Sequence, residues 1–225
     1  CALAIASGGE IALEAAFGKA DLTSDEELTP RHGFRIASHS KSFTAAGLLR
    51  LAEAGRLRLD DEAGTYVPGL HQDVARATLT QLLSNSAGLV RDGADSGQFF
   101  DRRPYRRREE LLADLAQPPV YPPAQRLKYS NHGFALLGLV IEAVTGEAYP
   151  DWILREIVAP AGLRETQPDI GLWTGPMAKG HSGTQPLGRR VVIPADNPGN
   201  AMTAAAGFVT TAADVARYFA QLSPR

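Results

Sequence analysis

Ser38-His39-Ser40-Lys41 holds the side-chain pair in this chain best suited to nucleophilic chemistry. In a helix, residues three apart share a face, so the Ser38 hydroxyl and the Lys41 amine would lie side by side. Ser38 would also sit at the helix N-terminus, where free N–H groups and the dipole favour developing negative charge. Burial on such a helix pushes an amine pKa down from its reference near ~10.4. A neutral lysine beside a serine can take its proton, which makes a nucleophile with its base. Taken alone, the four letters favour a plainer reading, a capping serine and a solvated lysine, because S-x-x-K recurs by chance. Tyr129-Ser130-Asn131 is the second constellation. A tyrosine there can relay a proton, and an asparagine can orient a substrate amide or carbonyl. Its plainer reading is a turn with Asn131 as a helix cap.

Two apolar helices must hold these groups. Ser38 to Ala54 reads as a helix capped by Ser38 and ended by Gly55 in the C′ position. Its residues Phe43, Leu48, Leu49 and Leu51 leave little polar face, so it is expected to be buried. Gly133 to Thr145 reads as a second buried helix, stopped at Gly146. Around them the pattern predicts a hairpin from Ala2–Ala6 and Ile11–Phe17 across Ser7-Gly8-Gly9. Short helices are expected at 79–83, 109–116 and 152–158, a strand at 191–193, and an amphipathic helix at 211–222. Val215, Tyr218, Phe219 and Leu222 share one side of that last helix.

The 225 residues are 44% hydrophobic, enough to bury a sizeable core. Lys and Arg number 23 and Asp and Glu 25, a net charge of −2. That balance argues against nucleic acid as a partner, because phosphate binding needs a basic surplus. Cys1 stands alone, which excludes an internal disulfide and a Cys-rich zinc site. His32, His39, His71, His132 and His181 show no H-E-x-x-H spacing, so neither a metal site nor a cofactor is expected. There is no G-x-S-x-G elbow, and no apolar run has the length of a membrane span. Cys1 lies directly on a predicted strand, which argues against a lipid-modified start. The compartment, bacterial cytoplasm or exported, stays open.

Joined in order, these segments resemble the serine β-lactamase-like hydrolases, above all the class C-type branch with its esterases, D-aminopeptidases and D,D-carboxypeptidases. Phe34 to Ala45 resembles the family's nucleophile region, and Gly55 to Asp61 the segment after its helix. Leu82-Leu83-Ser84-Asn85-Ser86-Ala87-Gly88-Leu89 is similar to the family stretch LLTHTSGL, and Tyr129-Ser130-Asn131 to its Y-S-N motif. Pro160-Ala161-Gly162-Leu163 and Ala206 to Asp214 match further family segments, so the resemblance covers nearly the whole chain. It implies an α+β fold, an antiparallel sheet flanked by helices with a mostly helical subdomain. Residues 1–58 and 204–225 would form the α/β part and 59–203 the helical and loop subdomain. It implies Ser38 as the acylated nucleophile, Lys41 as its base, Tyr129 as a second acid/base and Asn131 as a substrate contact. The reaction would be acyl transfer to water from a small-molecule or peptide substrate: a β-lactam, an ester or a D-amino-acid peptide.

The family's third motif, H-x-G or K-x-G, lies on a strand after the segment matched by Ala206 to Asp214. On this reading the chain lacks those C-terminal strands, and a missing C-terminal segment would complete the site. The alternative function is then a non-catalytic penicillin-binding-like sensor module or an inactive fragment. His181-Ser182-Gly183 carries the letters H-x-G but reads as loop sequence. The arginine-rich run 102–108 reads as a solvated face beside Asp101, Glu109 and Glu110. Phe99, Phe100 and Tyr105 would line the substrate cleft or pack the helical subdomain.

Overall fold

A computed structural model describes residues 1–93, 105–183, 188, 190–193 and 196–222. Strands β1 (Ala2–Ser7) and β2 (Glu10–Ala16) form the expected antiparallel hairpin, with Gly8 and Gly9 both at positive φ in the turn. β3 (Lys19–Asp21) pairs with β4 (Glu26–Glu27). β5 (Phe34–Arg35) leads into the nucleophile segment and pairs antiparallel with β9 (Val209–Thr210), which also carries β6 (Thr166–Gln167) on its other edge. β7 (Gly180–His181) pairs with β8 (Val192–Ile193). This is the α+β mixture expected, with small antiparallel sheets beside helices.

Three helices make the wedge that positions the chemistry. α1 (Ser40–Glu53) and α5 (Asn131–Thr145) are the two long apolar helices, and α7 (Thr203–Ala206) is a single turn packed on both. α5 is buried without interruption from Asn131 to Ile141. A helix with no polar face in its first three turns belongs inside the protein. Gly138 on α5 allows the close approach, since a Cβ there would stand 2.7 Å from the Ala204 Cβ of α7. Gly146 ends α5 in the left-handed conformation, as glycine at this position readily does.

The polar side chains of α1 complete the wedge. The Ser40 hydroxyl accepts from Phe208 N at 3.1 Å, and Thr44 donates to Ala204 O at 2.6 Å and meets the Tyr149 hydroxyl at 2.7 Å. Each satisfies a backbone group of a tight turn that would otherwise be buried unpaired. Phe43 stacks on Phe208 (centroids 4.5 Å apart) and on Tyr218 (4.1 Å). The second contact docks α8 (Ala212–Gln221) onto α1, and the Tyr218 hydroxyl donates to Ser42 O at 3.1 Å. Thr211 caps α8, and Tyr218 is its buried anchor, while Phe219 and Leu222 of the expected apolar side are exposed.

The remaining helices are α2 (Gln72–Ala75), α3 (Leu79–Leu83), α4 (Arg108–Leu115) and α6 (Tyr149–Ile153). The helix expected at 152–158 is instead α6 followed by one wide turn, Leu154–Val158. Of the arginine run, Arg107 and Arg108 are exposed beside Glu109 and Glu110, as expected of a solvated face, while Arg106 is partly buried. Tyr105 is buried in the core, Arg106 lies 3.5 Å from Asp114, and Arg108 pairs with Glu142 at 2.6 Å. Tyr105 therefore packs the helical region. Phe99, Phe100, Arg102, Arg103 and Pro104 lie outside the described residues. No helix among the described residues is long and apolar enough to cross a membrane.

Candidate active site

The four candidate residues come from two segments that the wedge brings together. Ser38 sits in a short 3-10 turn, Ala37–His39, just before α1, and its side chain makes no cap hydrogen bond. The expectation that Ser38 caps the helix is therefore corrected. Ala37 has φ +45°, and this left-handed residue turns the chain so that the Ser38 hydroxyl points away from the helix end. Freed from capping, Ser38 Oγ is hydrogen-bonded to the Tyr129 hydroxyl and receives Lys41 Nζ at 3.2 Å.

Tyr129 and Asn131 flank the true cap of α5. Ser130 is that cap and accepts from Gly133 N at 2.9 Å, so Asn131 is the first helical residue rather than the cap. This leaves the Asn131 amide free to face α1. A loop grips the segment from behind. Ser130 N donates to Asn85 Oδ1 at 2.9 Å, the Ser130 hydroxyl to Val90 O at 2.6 Å, and Asn131 N to Arg91 O at 2.9 Å. Gly88 within this loop has φ +74°, and a Cβ there would lie 2.0 Å from Tyr121 O. Only glycine fits so close a backbone crossing.

Lys41 is the hub. It is buried, and its Nζ donates to Asn131 Oδ1 at 2.6 Å and to Ala205 O at 2.7 Å, besides Ser38 Oγ. The Tyr129 ring centre lies 5.0 Å from Nζ and the Phe134 ring centre 5.5 Å. Burial dominates its electrostatics and pushes the amine pKa below the usual lysine range, against opposing pulls from Tyr129 and Asp92. A neutral amine has two N–H bonds and one lone pair. Two of its neighbours, Asn131 Oδ1 and Ala205 O, are pure acceptors, so both N–H bonds are spoken for. In that neutral form the lone pair would be left for the hydroxyl side, where Ser38 Oγ lies 3.2 Å away and shares a hydrogen bond with the Tyr129 hydroxyl.

Sequence reasoning missed three members of this assembly. Ala205 contributes only its carbonyl, which no side-chain pattern reveals. Asn85 and Asp92 lie in or just after Leu82–Leu89, whose family resemblance assigns no roles to single residues. His181 stands on β7 instead of in a loop, and its Nε2 accepts from Leu22 N at 3.2 Å, near Asp21. None of its described partners belongs to the Ser38 cluster. Among the described residues no group of three or more His, Cys, Asp or Glu is placed to hold a metal ion.

Comparison with known proteins places this geometry among relatives. A family model described as Beta-lactamase matches residues 1–225. Penicillin-binding protein 4* of Bacillus subtilis (strain 168) is 33% identical over 169 residues, which is 72% of this chain and 36% of that protein. The octameric penicillin-binding protein homologue of Pyrococcus abyssi superposes with a TM-score of 0.83 at 27% identity, over 97% of this chain and 51% of that one. The D-amino acid amidase of Ochrobactrum anthropi SV3, solved with L-phenylalanine amide, superposes with a TM-score of 0.81 at 26% identity, over 96% of this chain and 64% of that one. The chain thus spans about a third of the length of this curated relative and about half to two thirds of the two solved structures.

Proposed function

The chain belongs to the β-lactamase family, and from that premise we propose that it is a serine hydrolase working through a Ser38 acyl-enzyme. Neutral Lys41 takes the Ser38 proton while Oγ bonds to the substrate carbonyl carbon. The tetrahedral adduct collapses, the bond to the leaving group breaks, and the Tyr129 hydroxyl relays a proton from Lys41 to the departing atom. Water then attacks the acyl-enzyme, gives its proton back along the same path, and releases the acid and free Ser38. Asn131 holds Lys41 with Oδ1, and its amide N–H is taken by Asp92. The observation that carries this reading is the arrangement of Lys41 Nζ, held by two carbonyl-type acceptors with Ser38 Oγ as its third neighbour.

For the acyl donor we propose a D-amino-acid amide or peptide, a small ester or a β-lactam. The likeness to a D-amino acid amidase and to penicillin-binding proteins supports this set. The test is intact mass after incubation with a fluorophosphonate ester, beside Ser38→Ala. One adduct that disappears in the variant is expected, and an unlabelled but folded parent would sink the assignment. Turnover of a D-amino-acid amide, ester or β-lactam panel then separates an enzyme from a sensor module, which would stop at one equivalent of product.

A further inference from the structure

We infer that Asp92 is a positioning residue that fixes the Asn131 amide and thereby aims the Lys41 lone pair at Ser38. The inference rests on the acyl-transfer reading above. Asp92 is buried at 6% exposure, in the loop that grips the start of α5, and both its oxygens are engaged. Oδ1 accepts from Asn131 Nδ2 at 2.5 Å, and Oδ2 lies 2.9 Å from Arg91 Nε. Arg91 reaches out to solvent, with its guanidinium 5.6 Å from the Tyr129 ring centre.

A side-chain amide can turn over at little intrinsic cost, because its two ends have nearly the same shape. Its neighbours decide which end faces which way. A carboxylate accepts only, so Asp92 demands the NH2 end of Asn131. The carbonyl end is thereby turned to Lys41. In the opposite orientation the amide N–H groups would compete with Ser38 for the Lys41 lone pair, and Asn131 Oδ1 would face the Asp92 carboxylate. Asp92 touches neither Ser38 nor Lys41 in any described hydrogen bond. Its hydrogen bond acts through Asn131, its charge also acts on Lys41 across space, and Arg91 balances that charge at the rim.

The test measures the rate of Ser38 labelling by the fluorophosphonate ester in the parent, Asp92→Asn, Asp92→Leu, Asn131→Ala and the Asp92→Leu/Asn131→Ala double variant. Near-UV circular dichroism confirms that each is folded, and Asp92→Asn is the near-isosteric form should the leucine variant not fold. Losing a charged hydrogen-bond partner predicts labelling slower by about ten- to a hundredfold in Asp92→Leu. In the Asn131→Ala background the same change is expected to cost less than about threefold, since the residue it acts through is gone. A second readout is the pH profile of labelling. The charged or titratable groups acting on Lys41 are Tyr129, Asp92 and Arg91. Removing the Asp92 charge makes the Lys41 ammonium less stable, so the limb where the rate climbs moves to lower pH in Asp92→Asn. Losses that multiply in the double variant overturn the proposal, since a merely structural role predicts them, and an unmoved limb overturns it because Asp92 would then not act on Lys41 at all. A parent that takes no label overturns the acyl-transfer reading and this proposal with it. A labelled parent whose rate is indifferent to Asp92 overturns this proposal alone.

Discussion

Asn131 and His132 are consecutive buried residues at the start of α5, and each is hydrogen-bonded to an aspartate. Asn131 links Asp92 to Lys41 and, through it, to Ser38. His132 is fully buried and links through Nε2 to Asp114 at 2.9 Å, which in turn neighbours Arg106. On residue types alone, the His132–Asp114 pair is the more familiar acid–base dyad. Among the described residues it has no hydroxyl or thiol partner, and His132 Nδ1 and Arg106 Nε have no hydrogen-bond partner there. On the proposed reading the two clusters differ in one respect: both set a carboxylate near a base, and among the described residues the Ser38 side alone offers that base a hydroxyl. A site needs a neighbour that can give up a proton and then carry a bond.

That contrast sets the order of expected effects. The largest belongs to Lys41→Ala, which removes the base and is expected to slow Ser38 labelling by ~10²–10⁴-fold. Intact-mass kinetics read this directly, and a rate equal to the parent would end the base assignment. The pH profile comes next. On the proposed reading the base is the neutral amine, so labelling should be slow while Lys41 is protonated and rise as it loses its proton. Burial lowers the Lys41 pKa, so this limb is expected below the ordinary lysine range, and it should vanish in Lys41→Ala. A limb near ~10.4 would contradict the buried, desolvated amine.

The His132 side should behave in the opposite way. Asp114→Asn keeps the shape but weakens the partner of a buried imidazole, and a lost partner of this kind costs ~1–3 kcal/mol of stability. Chemical denaturation should show that loss, while the Ser38 labelling rate stays within about threefold of the parent. A stable variant with a crippled rate would mean that the two clusters are coupled, and the comparison above would fail.

How far these clusters were legible in the sequence depends on which atoms build them. Type and spacing mark Ser38, Lys41, Tyr129 and Asn131 only as candidates, the family resemblance gives them roles, and the structure brings all four together. The buried helices α1 and α5 followed from apolar runs ended by Gly55 and Gly146. The cap positions did not follow. Ser38 and Asn131 both have cap-forming side chains at helix starts, yet Ala37's left-handed backbone and Ser130's competing hydroxyl release them. Backbone groups such as Ala205 O carry no sequence signature. Asp92 was silent for another reason, since its meaning comes from a partner 39 residues away. The same holds for Arg106, partly buried beside Asp114, whereas Arg107 and Arg108 keep the solvated face read from the sequence.

The smallest effect, and the finest probe of the nucleophile side, lies in Ala37. Five described non-glycine residues have positive φ, and two of them serve the Ser38 side: Ala37 precedes the nucleophile, and Asn85 holds Ser130 N. Asparagine tolerates the left-handed region, whereas alanine is strained there by ~1 kcal/mol or slightly more. Ala37→Gly relieves that strain but loosens the unfolded chain, which costs ~0.5–1 kcal/mol. The two terms nearly cancel, so the denaturation midpoint should hardly move. Ala37→Val has no such relief, because a β-branched side chain fits the left-handed region worst, and it should destabilise by more than ~1 kcal/mol. The turn, not the alanine methyl, then sets the direction of Ser38. Labelling should therefore survive in the glycine variant to within a few-fold and fall only where the turn itself is lost. A glycine variant that is clearly less stable, with the valine variant unharmed, would show that the φ of Ala37 stores no strain and that some other contact turns Ser38 away from the helix.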